Sequence, residues 1–327
     1  MISSKIYKIL DKLWYKISIF SILLLPLIPV YLIIYCTVYI IKNKQYTSNK
    51  FKTIGIGNLT IGGAGKTPTA IYIAQELQQL GYKVAFFSSG YGGNFNGTVI
   101  TNKKHSADII GDEASILQKY APTVISKDKL LGLKACESLN VDFVIIDDAL
   151  QNPTIKKDIN LLVIDNKYRF GNGLLLPAGP LRETMLLSKH KINAAIIIHR
   201  DDNNHKKLNL KLNNIFNLRT CYHHTLDTNQ NYLAFTAIAK AEKFYDSLKQ
   251  IGINTVITKS FLDHYQYTNA DINDLQNIAK KHSLKIVTTQ KDIVKIDTNI
   301  YSNIEVLDIS LKEEKPTLIQ FILHTLR

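Results

Sequence analysis

The stretch that decides the fold runs from residue 52 to residue 70 and reads KTIGIGNLTIGGAGKTPTA. Its apolar beginning over 52–58 is typical of a strand, and its end leads into a pattern that predicts a helix from Thr67 to Leu80. Between them, residues 60–67 resemble a phosphate-binding loop, with Thr60 where the pattern has its first glycine. The alternative is a glycine turn that contains Gly-Lys-Thr by chance, and the flanking strand and helix favour the nucleotide site.

Each part of this loop suits a bound phosphate. Small residues allow backbone N–H groups to point inward, and the start of the following helix adds its positive end. Lys66 is spaced to reach the β- and γ-phosphates, and the Thr67 hydroxyl is spaced to ligate Mg²⁺. The predicted ATP-binding residues are therefore Thr60, Ile61, Gly62, Gly63, Ala64, Gly65, Lys66 and Thr67.

A second part of a nucleotide site follows the apolar run at 143–148, which reads FVIIDD. Asp147 and Asp148 have the position of a Walker-B carboxylate, which holds Mg²⁺ directly or through water. The alternative is a strand that ends in acidic turn residues, and pairing with the loop favours the metal role. GTP is disfavoured because the stretch Asn166-Lys167-Tyr168-Arg169 lacks the aspartate of a guanine-binding motif.

Beyond residue 50, short apolar runs rich in β-branched residues alternate with amphipathic segments over the rest of the chain. Such alternation predicts an α/β fold whose parallel sheet is covered by helices on both faces. The polar stretch at 201–215 divides a P-loop NTPase-like part from a second, smaller α/β unit that begins near residue 231. We therefore expect a membrane-associated segment at 1–46, a P-loop domain at 47–200, a linker region at 201–230 and a smaller α/β domain at 231–327.

The first fifty residues indicate a membrane. Residues 17–41 carry no charged side chain, and such a run is long enough to cross a bilayer. Pro26 and Pro29 leave open a kinked span or an interfacial helical hairpin, and a buried core helix is a third alternative. The net charge of +13, without a nucleic-acid-binding motif, favours an anionic membrane surface or a phosphorylated substrate over nucleic acid.

Several motifs together resemble one family, the tetraacyldisaccharide 4′-kinases of lipid A biosynthesis. The resemblance runs from the N-terminal apolar segment almost to the end of the chain, and no obligate protein partner follows from it. It rests on Gly57-Asn58-Leu59 before the unusual loop, Gly111-Asp112-Glu113, Asp147-Asp148 followed by Gln151, the run PAGPLRE at 177–183, Asp263-His264-Tyr265 and Lys291-Asp292.

The resemblance implies a kinase on the cytoplasmic face of the inner membrane. It would move the γ-phosphate of ATP, with Mg²⁺, to the 4′-hydroxyl of an acylated diglucosamine 1-phosphate, giving lipid IVA. It implies that Asp112 is the base, assisted by His264, and that Lys66 serves the phosphates. For the metal it implies Thr67, Asp147, Asp148, Gln151 and Glu183, and for the substrate Asn58, Tyr91, Glu113 and Arg182.

Without the resemblance, Asp112 would be read as a helix cap and His264 as a structural histidine. The chain departs from the family pattern at four places, with Ser89 for an arginine, Asn152 for a histidine, Thr184 for a proline and Ala239-Lys240 for a Gly-Asn pair. Two other functions stay open on the sequence alone, a membrane-associated P-loop ATPase in protein targeting or assembly and a non-catalytic nucleotide-binding adaptor. A site that needs both Asp112 and His264 would lie in the cleft between the two α/β parts.

Overall fold

The computed structural model describes residues 14–42, 45–101, 105–200, 208, 210–298 and 300–326. Its strands are β1 (Lys52–Gly57), β2 (Val84–Ser88), β3 (Thr98–Thr101), β4 (Thr123–Ser126), β5 (Phe143–Ile146), β6 (Ile159–Asp165), β7 (Ala194–His199), β8 (Ile215–His223), β9 (Asn231–Thr236), β10 (Asn254–Ser260), β11 (Lys285–Thr289) and β12 (Ile304–Glu313). Its α-helices are α1 (Ile19–Leu24), α2 (Ile28–Ile41), α3 (Lys66–Gln79), α4 (Ala107–Ile110), α5 (Asp112–Leu117), α6 (Lys129–Glu137), α7 (Met185–Ser188), α8 (Ala241–Gln250), α9 (Asn269–Lys281), α10 (Gln290–Ile293) and α11 (Leu318–Leu326). Short 3₁₀ turns at Leu25–Leu27 and Lys189–Lys191 adjoin α1, α2 and α7.

All of these strands join one sheet in the order β10-β9-β11-β12-β8-β7-β6-β1-β5-β2-β4-β3. Neighbouring strands run parallel except at two places, where β3 pairs antiparallel with β4 and β12 pairs antiparallel with β8. The central strands are continuously apolar and buried because helices cover both faces of the sheet. The predicted α/β class is confirmed.

The sheet brings the two predicted phosphate-site motifs to one edge. β1 and β5 are parallel neighbours, and Gly55 in β1 pairs with Ile146, the last residue of β5. The loop that follows β1 and the aspartates that follow β5 therefore leave the sheet at the same carboxyl edge, where ligands bind in open α/β sheets.

Strand β8 lies inside the region 201–230, and the sequence analysis does not predict it. It pairs parallel with β7 and antiparallel with β12, so it joins the main part of the sheet to the smaller α/β unit. Residues 201–207 and 209 of this region lie outside the described residues, and the domain limits given above stay a prediction.

The apolar N-terminal segment forms one helical run from Ile19 to Ile41, in which α1, the first 3₁₀ turn and α2 follow one another. The backbone stays right-handed helical at Leu25 and Ile28, so the prolines interrupt the hydrogen bonding without turning the chain back into a hairpin. By length and composition the run is able to cross a membrane, and most of its residues are exposed, with only Ser21 fully buried. The alternative of a buried core helix is therefore wrong.

Candidate active site

The loop at 60–67 has the backbone conformation of a phosphate cradle. Gly62 and Gly65 have φ angles of +99° and +95°, a region that other residues rarely adopt. A Cβ atom on Gly65 would lie 2.4 Å from the Ile198 side chain, whereas one on Gly63 would meet no atom within 4 Å. The loop is therefore packed from behind at Gly65 and open in front at Gly63.

Thr60 does not need to be glycine in this fold. It lies in an isolated antiparallel bridge with Leu181, and its φ angle is not positive. The neighbouring Ile61 N–H donates to the Pro180 carbonyl over 2.8 Å, and the Arg182 N–H donates to the Leu59 carbonyl over 2.7 Å. The PAGPLRE run thus holds the beginning of the loop in an extended conformation that any residue can adopt.

Asn58 lies beneath the loop and not on its open side. Its side chain is buried and donates to the Thr60 carbonyl over 2.8 Å, while its amide oxygen accepts from Lys66 over 3.2 Å and from Arg182 over 2.5 Å. Because these contacts engage the whole side chain, Asn58 fixes the shape of the loop. Its predicted contact with the disaccharide does not match this placement.

Asp148 is the centre of a charged cluster in front of the loop. Arg182 binds its carboxylate through two nitrogens, at 3.0 and 2.9 Å, and Lys66 lies 3.3 Å from Oδ1. Burial raises the pKa of Asp148, but the nearby Lys66 and Arg182 outweigh burial and hold that pKa below its usual range. The carboxylate is therefore kept ionised, as a ligand of a cation must be.

Asp147 is in the opposite situation. Burial, with the negative charges of Glu113 and Asp148, raises the pKa of its carboxyl group, which Lys66 lowers only in part. In the conformation described here, Asp147 has little positive charge to balance it. A divalent cation beside the pair would supply that charge.

Gln151 and Glu183 each leave one buried oxygen without a hydrogen-bond partner in the described part of the chain, Oε1 in both cases. Gln151 donates through its amide to the Asn58 carbonyl over 2.9 Å. Glu183 accepts from Ser188 over 2.7 Å and pairs with Lys191 at 2.6 Å, both through Oε2. Neither residue lines the open cavity, and the described part of the chain has no group of three or more acidic, histidine or cysteine side chains that could hold a metal ion. The metal role of Gln151 and Glu183 therefore stays a prediction.

A cavity of about 900 Å³ lies between the two α/β parts. The whole loop from Thr60 to Thr67 lines it, and so do Asp147, Asp148 and Arg182. The smaller α/β unit contributes the opposite wall through β12, α8 and the segment around His264. The other predicted site residues on its surface are Tyr91, Glu113 and His264, and Ser89 also lines it.

Asp112 and His264 meet across the cleft, as the resemblance implies. His264 Nδ1 lies 3.0 Å from Asp112 Oδ2, and the side chain of Asp112 is 1% exposed. The helix-cap alternative for Asp112 is wrong, because Gly111 is the N-cap residue of α5 and no side chain caps that end. His264 lines the cavity and Asp112 lies behind it. His264 also packs edge-to-face against Tyr91, and its φ angle is +58°.

Two lysines from the smaller unit support this pair, and the sequence analysis gave neither a role. Lys295 has a fully buried side chain and lies 2.9 Å from Asp292 and 3.7 Å from Asp112. Lys291 lies 3.5 Å from His264 Nε2. Burial raises the pKa of Asp112, but the hydrogen bond from His264 and the charge of Lys295 outweigh it and lower that pKa.

A third lysine, Lys243 on α8, contacts the phosphate loop from the smaller α/β unit. Its Nζ donates to the Gly63 carbonyl over 2.5 Å and to Asp165 over 2.6 Å, and both side chains are about 5% exposed. Arg200 also pairs with Asp165, at 3.3 Å. A lysine on a polar helix face normally signals solvent exposure, so the sequence alone gave no sign of this contact.

A loop ending in Gly-Lys-Thr, two aspartates at the neighbouring strand end and an aspartate–histidine pair across a cleft define a P-loop phosphotransferase. The chain matches the family described as Tetraacyldisaccharide-1-P 4'-kinase over residues 20–327. It therefore belongs to that family, and the resemblance seen in the sequence is confirmed.

Individual relatives agree with the family. A Tetraacyldisaccharide 4'-kinase from Rickettsia canadensis (strain McKiel) is 34% identical over 313 residues, which are 94% of this chain and 94% of the relative. One from Rickettsia peacockii (strain Rustic) is 33% identical over 311 residues, covering 94% and 95%. A crystal structure of an "apo" form LpxK from Aquifex aeolicus in complex with ATP aligns with a TM-score of 0.73 at 25% identity, over 94% of this chain and 99% of that one.

Proposed function

We propose that this chain is an ATP-dependent tetraacyldisaccharide 4′-kinase that transfers the γ-phosphate of ATP to the 4′-hydroxyl of an acylated diglucosamine 1-phosphate and so forms lipid IVA. The observation that carries the proposal is a single cavity lined on one side by the phosphate loop and on the other by His264, which Asp112 holds. Such a cavity places a phosphoryl donor opposite an acid–base pair. The family relationship supplies the identity of the acceptor.

The loop and Lys66 hold the triphosphate. A Cβ on Gly63 would meet no atom within 4 Å and the loop lines the cavity, while Lys66 stands at the start of α3 with its Nζ beside Asp148. When ATP binds, Lys66 neutralises charge on the β- and γ-phosphates, which is the main work in phosphoryl transfer. Arg182 orients the carboxylate of Asp148 through bidentate hydrogen bonds.

The Asp112–His264 pair accepts the proton of the sugar hydroxyl. The resemblance implies that Asp112 is the base and that His264 assists it. The geometry favours the opposite assignment, in which His264 contacts the substrate and Asp112 assists it. His264 lines the cavity, whereas Asp112 lies behind it and hydrogen-bonds its Nδ1. We infer that Asp112 fixes the orientation of the imidazole, so that Nε2 is the atom within reach of the acceptor hydroxyl.

Mg²⁺ is the expected cofactor, held by Asp148 with support from Thr67 and Asp147, which line the same cavity. When bound, it would neutralise the charge that develops during transfer. Asp148 is kept ionised by its cationic neighbours, and Asp147 has too little positive charge beside it, so both carboxylates suit a cation at this place. Asn58 is better assigned to holding the loop than to the sugar.

Association with the inner membrane fits an acyl-chain-bearing substrate. The exposed apolar run Ile19–Ile41 supports membrane binding, and the positive net charge favours an anionic surface. Because ATP is found in the cytoplasm, we place the active site on the cytoplasmic face.

The test is direct transfer of label. Purified protein is incubated in detergent micelles with γ-³²P-ATP, Mg²⁺ and tetraacyldisaccharide 1-phosphate, and the lipid fraction is separated and counted. The account expects label in the lipid and little ATP turnover without the acceptor. Folded protein that hydrolyses ATP equally well with or without lipid would support the membrane ATPase instead. Protein that binds ATP without turning it over would support the adaptor.

A further inference from the structure

The apolar helical run presents two different faces. Its more buried residues recur every three or four positions, which places them on one stripe. That stripe turns toward the protein, whereas the outward face carries large exposed aliphatic side chains, such as Ile33, Ile34 and Ile40. The inward stripe consists of Ser21, Leu24, Ile28, Tyr31, Leu32, Tyr35 and Tyr39.

The tyrosines of this stripe contact the segment that carries two of the site residues. The Tyr31 hydroxyl donates to the backbone carbonyl of Arg182 over 2.8 Å. Tyr31 and Tyr35 stack with ring centroids 6.2 Å apart, and the Tyr39 ring lies tilted 6.1 Å from that of Tyr35. Lys191, which pairs with Glu183, lies 5.5 Å from the centre of the Tyr39 ring.

The same segment leads directly to the charged cluster at the phosphate loop. Arg182 binds Asp148 and Asn58 through its guanidinium while its carbonyl is held by Tyr31. A shift of that backbone would move the carboxylate of Asp148 relative to Lys66, which lies 3.3 Å away. The apolar helix is therefore linked to Asp148, a predicted metal ligand, through a single intervening residue, Arg182.

The run also contacts the protein along much of its length. Ser21 accepts from Asn172 at 3.4 Å near one end, and the Lys42 carbonyl accepts from Thr154 at 3.3 Å beyond the other. Charged groups such as Arg182 lie beside it, and hydrocarbon would penalise them strongly. In this arrangement the run suits a position in the membrane interface, with its outward aliphatic face toward the lipid.

We propose that the apolar run is part of the active-site scaffold as well as a membrane anchor, and that Tyr31 is a positioning residue for Arg182 and Asp148. The inference rests on the proposed kinase function. Its consequence is that the state of the helix on the membrane sets the geometry of the metal and phosphate cluster. A helix that served only as an anchor would have no influence on the chemistry in detergent.

The test compares Tyr31→Phe with two matched variants. Tyr39→Phe makes the same change two turns along the same stripe and keeps its ring beside Lys191. Ile34→Ala removes an exposed side chain from the outward face. Each protein is assayed for thermal stability, for binding to phosphatidylglycerol–phosphatidylethanolamine vesicles, for Mg²⁺-dependent binding of a fluorescent ATP analogue without lipid, and for lipid phosphorylation in detergent.

Tyr31→Phe is expected to weaken Mg²⁺-dependent analogue binding or kcat in detergent by about two- to twelvefold, the worth of one hydrogen bond. Its vesicle binding and melting temperature should stay those of the wild type. Tyr39→Phe should match the wild type throughout, and Ile34→Ala should lose vesicle binding alone. The inference is overturned if Tyr31→Phe matches Tyr39→Phe in detergent, or if its only defect is vesicle binding. A wild type inactive toward lipid would count against the proposed function instead.

Discussion

Replacing either member of the Asp112–His264 pair should cost most of the activity, and replacing both should cost little more. The two side chains share one hydrogen bond of 3.0 Å, and His264 alone of the two lines the cavity. Loss of a positioned acid–base group costs about 10²- to 10⁴-fold in rate. His264→Gln is therefore expected to lower kcat by that factor, and Asp112→Asn by a similar or smaller one.

The double variant shows whether Asp112 and His264 act together as one catalytic unit or contribute to the rate independently. If Asp112 acts through His264, Asp112→Asn/His264→Gln should remain within the range of about 10²- to 10⁴-fold, because groups that act as one are not additive. Independent groups would instead multiply to about 10⁴- to 10⁸-fold. Folding should survive, since Lys295 keeps its partner Asp292 at 2.9 Å when Asp112 loses its charge.

The assay is single-turnover transfer of ³²P from ATP to the lipid acceptor, with ATP-analogue binding measured on the same preparations. His282→Gln makes the matched change at an exposed histidine at the end of α9 and should leave both quantities unaltered. The reasoning is refuted if His264→Gln retains near wild-type kcat, or if the double variant shows the full product of the single losses.

Three further predictions concern the phosphate loop and its support. Lys66→Met should lower kcat by about 10²- to 10³-fold with the fold intact, as checked by melting temperature, because the lysine stabilises charge on the transferred phosphate. Lys243→Met should raise the KM for ATP by about tenfold, because it removes a charged hydrogen bond to the Gly63 carbonyl. Lys249→Met on the same helix is the control. An equal rise in KM in the control would contradict a role for the Lys243–Gly63 hydrogen bond. The lowered pKa of Asp165 stabilises the fold above the pKa of an unfolded aspartate, about 3.9, and this contribution is lost as the pH falls through the folded value. Urea midpoints should therefore decline more steeply below about pH 4 in the wild type than in Asp165→Asn, and parallel curves would exclude this contribution.

The core of the fold could be predicted because its signals are local. β1, the loop and α3 are contiguous, and their apolar run, glycines and helical periodicity each identify one element. β8 could not be predicted in the same way, since only Leu218 in the strand is fully buried and its sequence mixes polar and apolar residues. Its place in the sheet depends on pairing with β12, which comes more than 80 residues later.

The same distinction between local and long-range signals applies to the residues of the site. The cradle and the two aspartates each follow a strand end, so the loop motif, its flanking elements and their pairing predict them. The meeting of Asp112 with His264, 152 residues apart, could be predicted only through the family resemblance, because by itself each has a structural explanation. The contact of Lys243 with Gly63 depends on how α8 of the smaller unit packs against the loop, and neither residue's neighbours in sequence signal it.

The central claim is that the main-chain amides of residues 60–67 bind the triphosphate although Thr60 replaces the usual glycine. A crystal structure with Mg²⁺ and a non-hydrolysable ATP analogue tests it most directly. The account predicts the β- and γ-phosphates within hydrogen-bond distance of the N–H groups around Gly63 and of Lys66 Nζ, with the metal beside Asp148. A nucleotide bound elsewhere, with the loop left open in the same crystal, would contradict it.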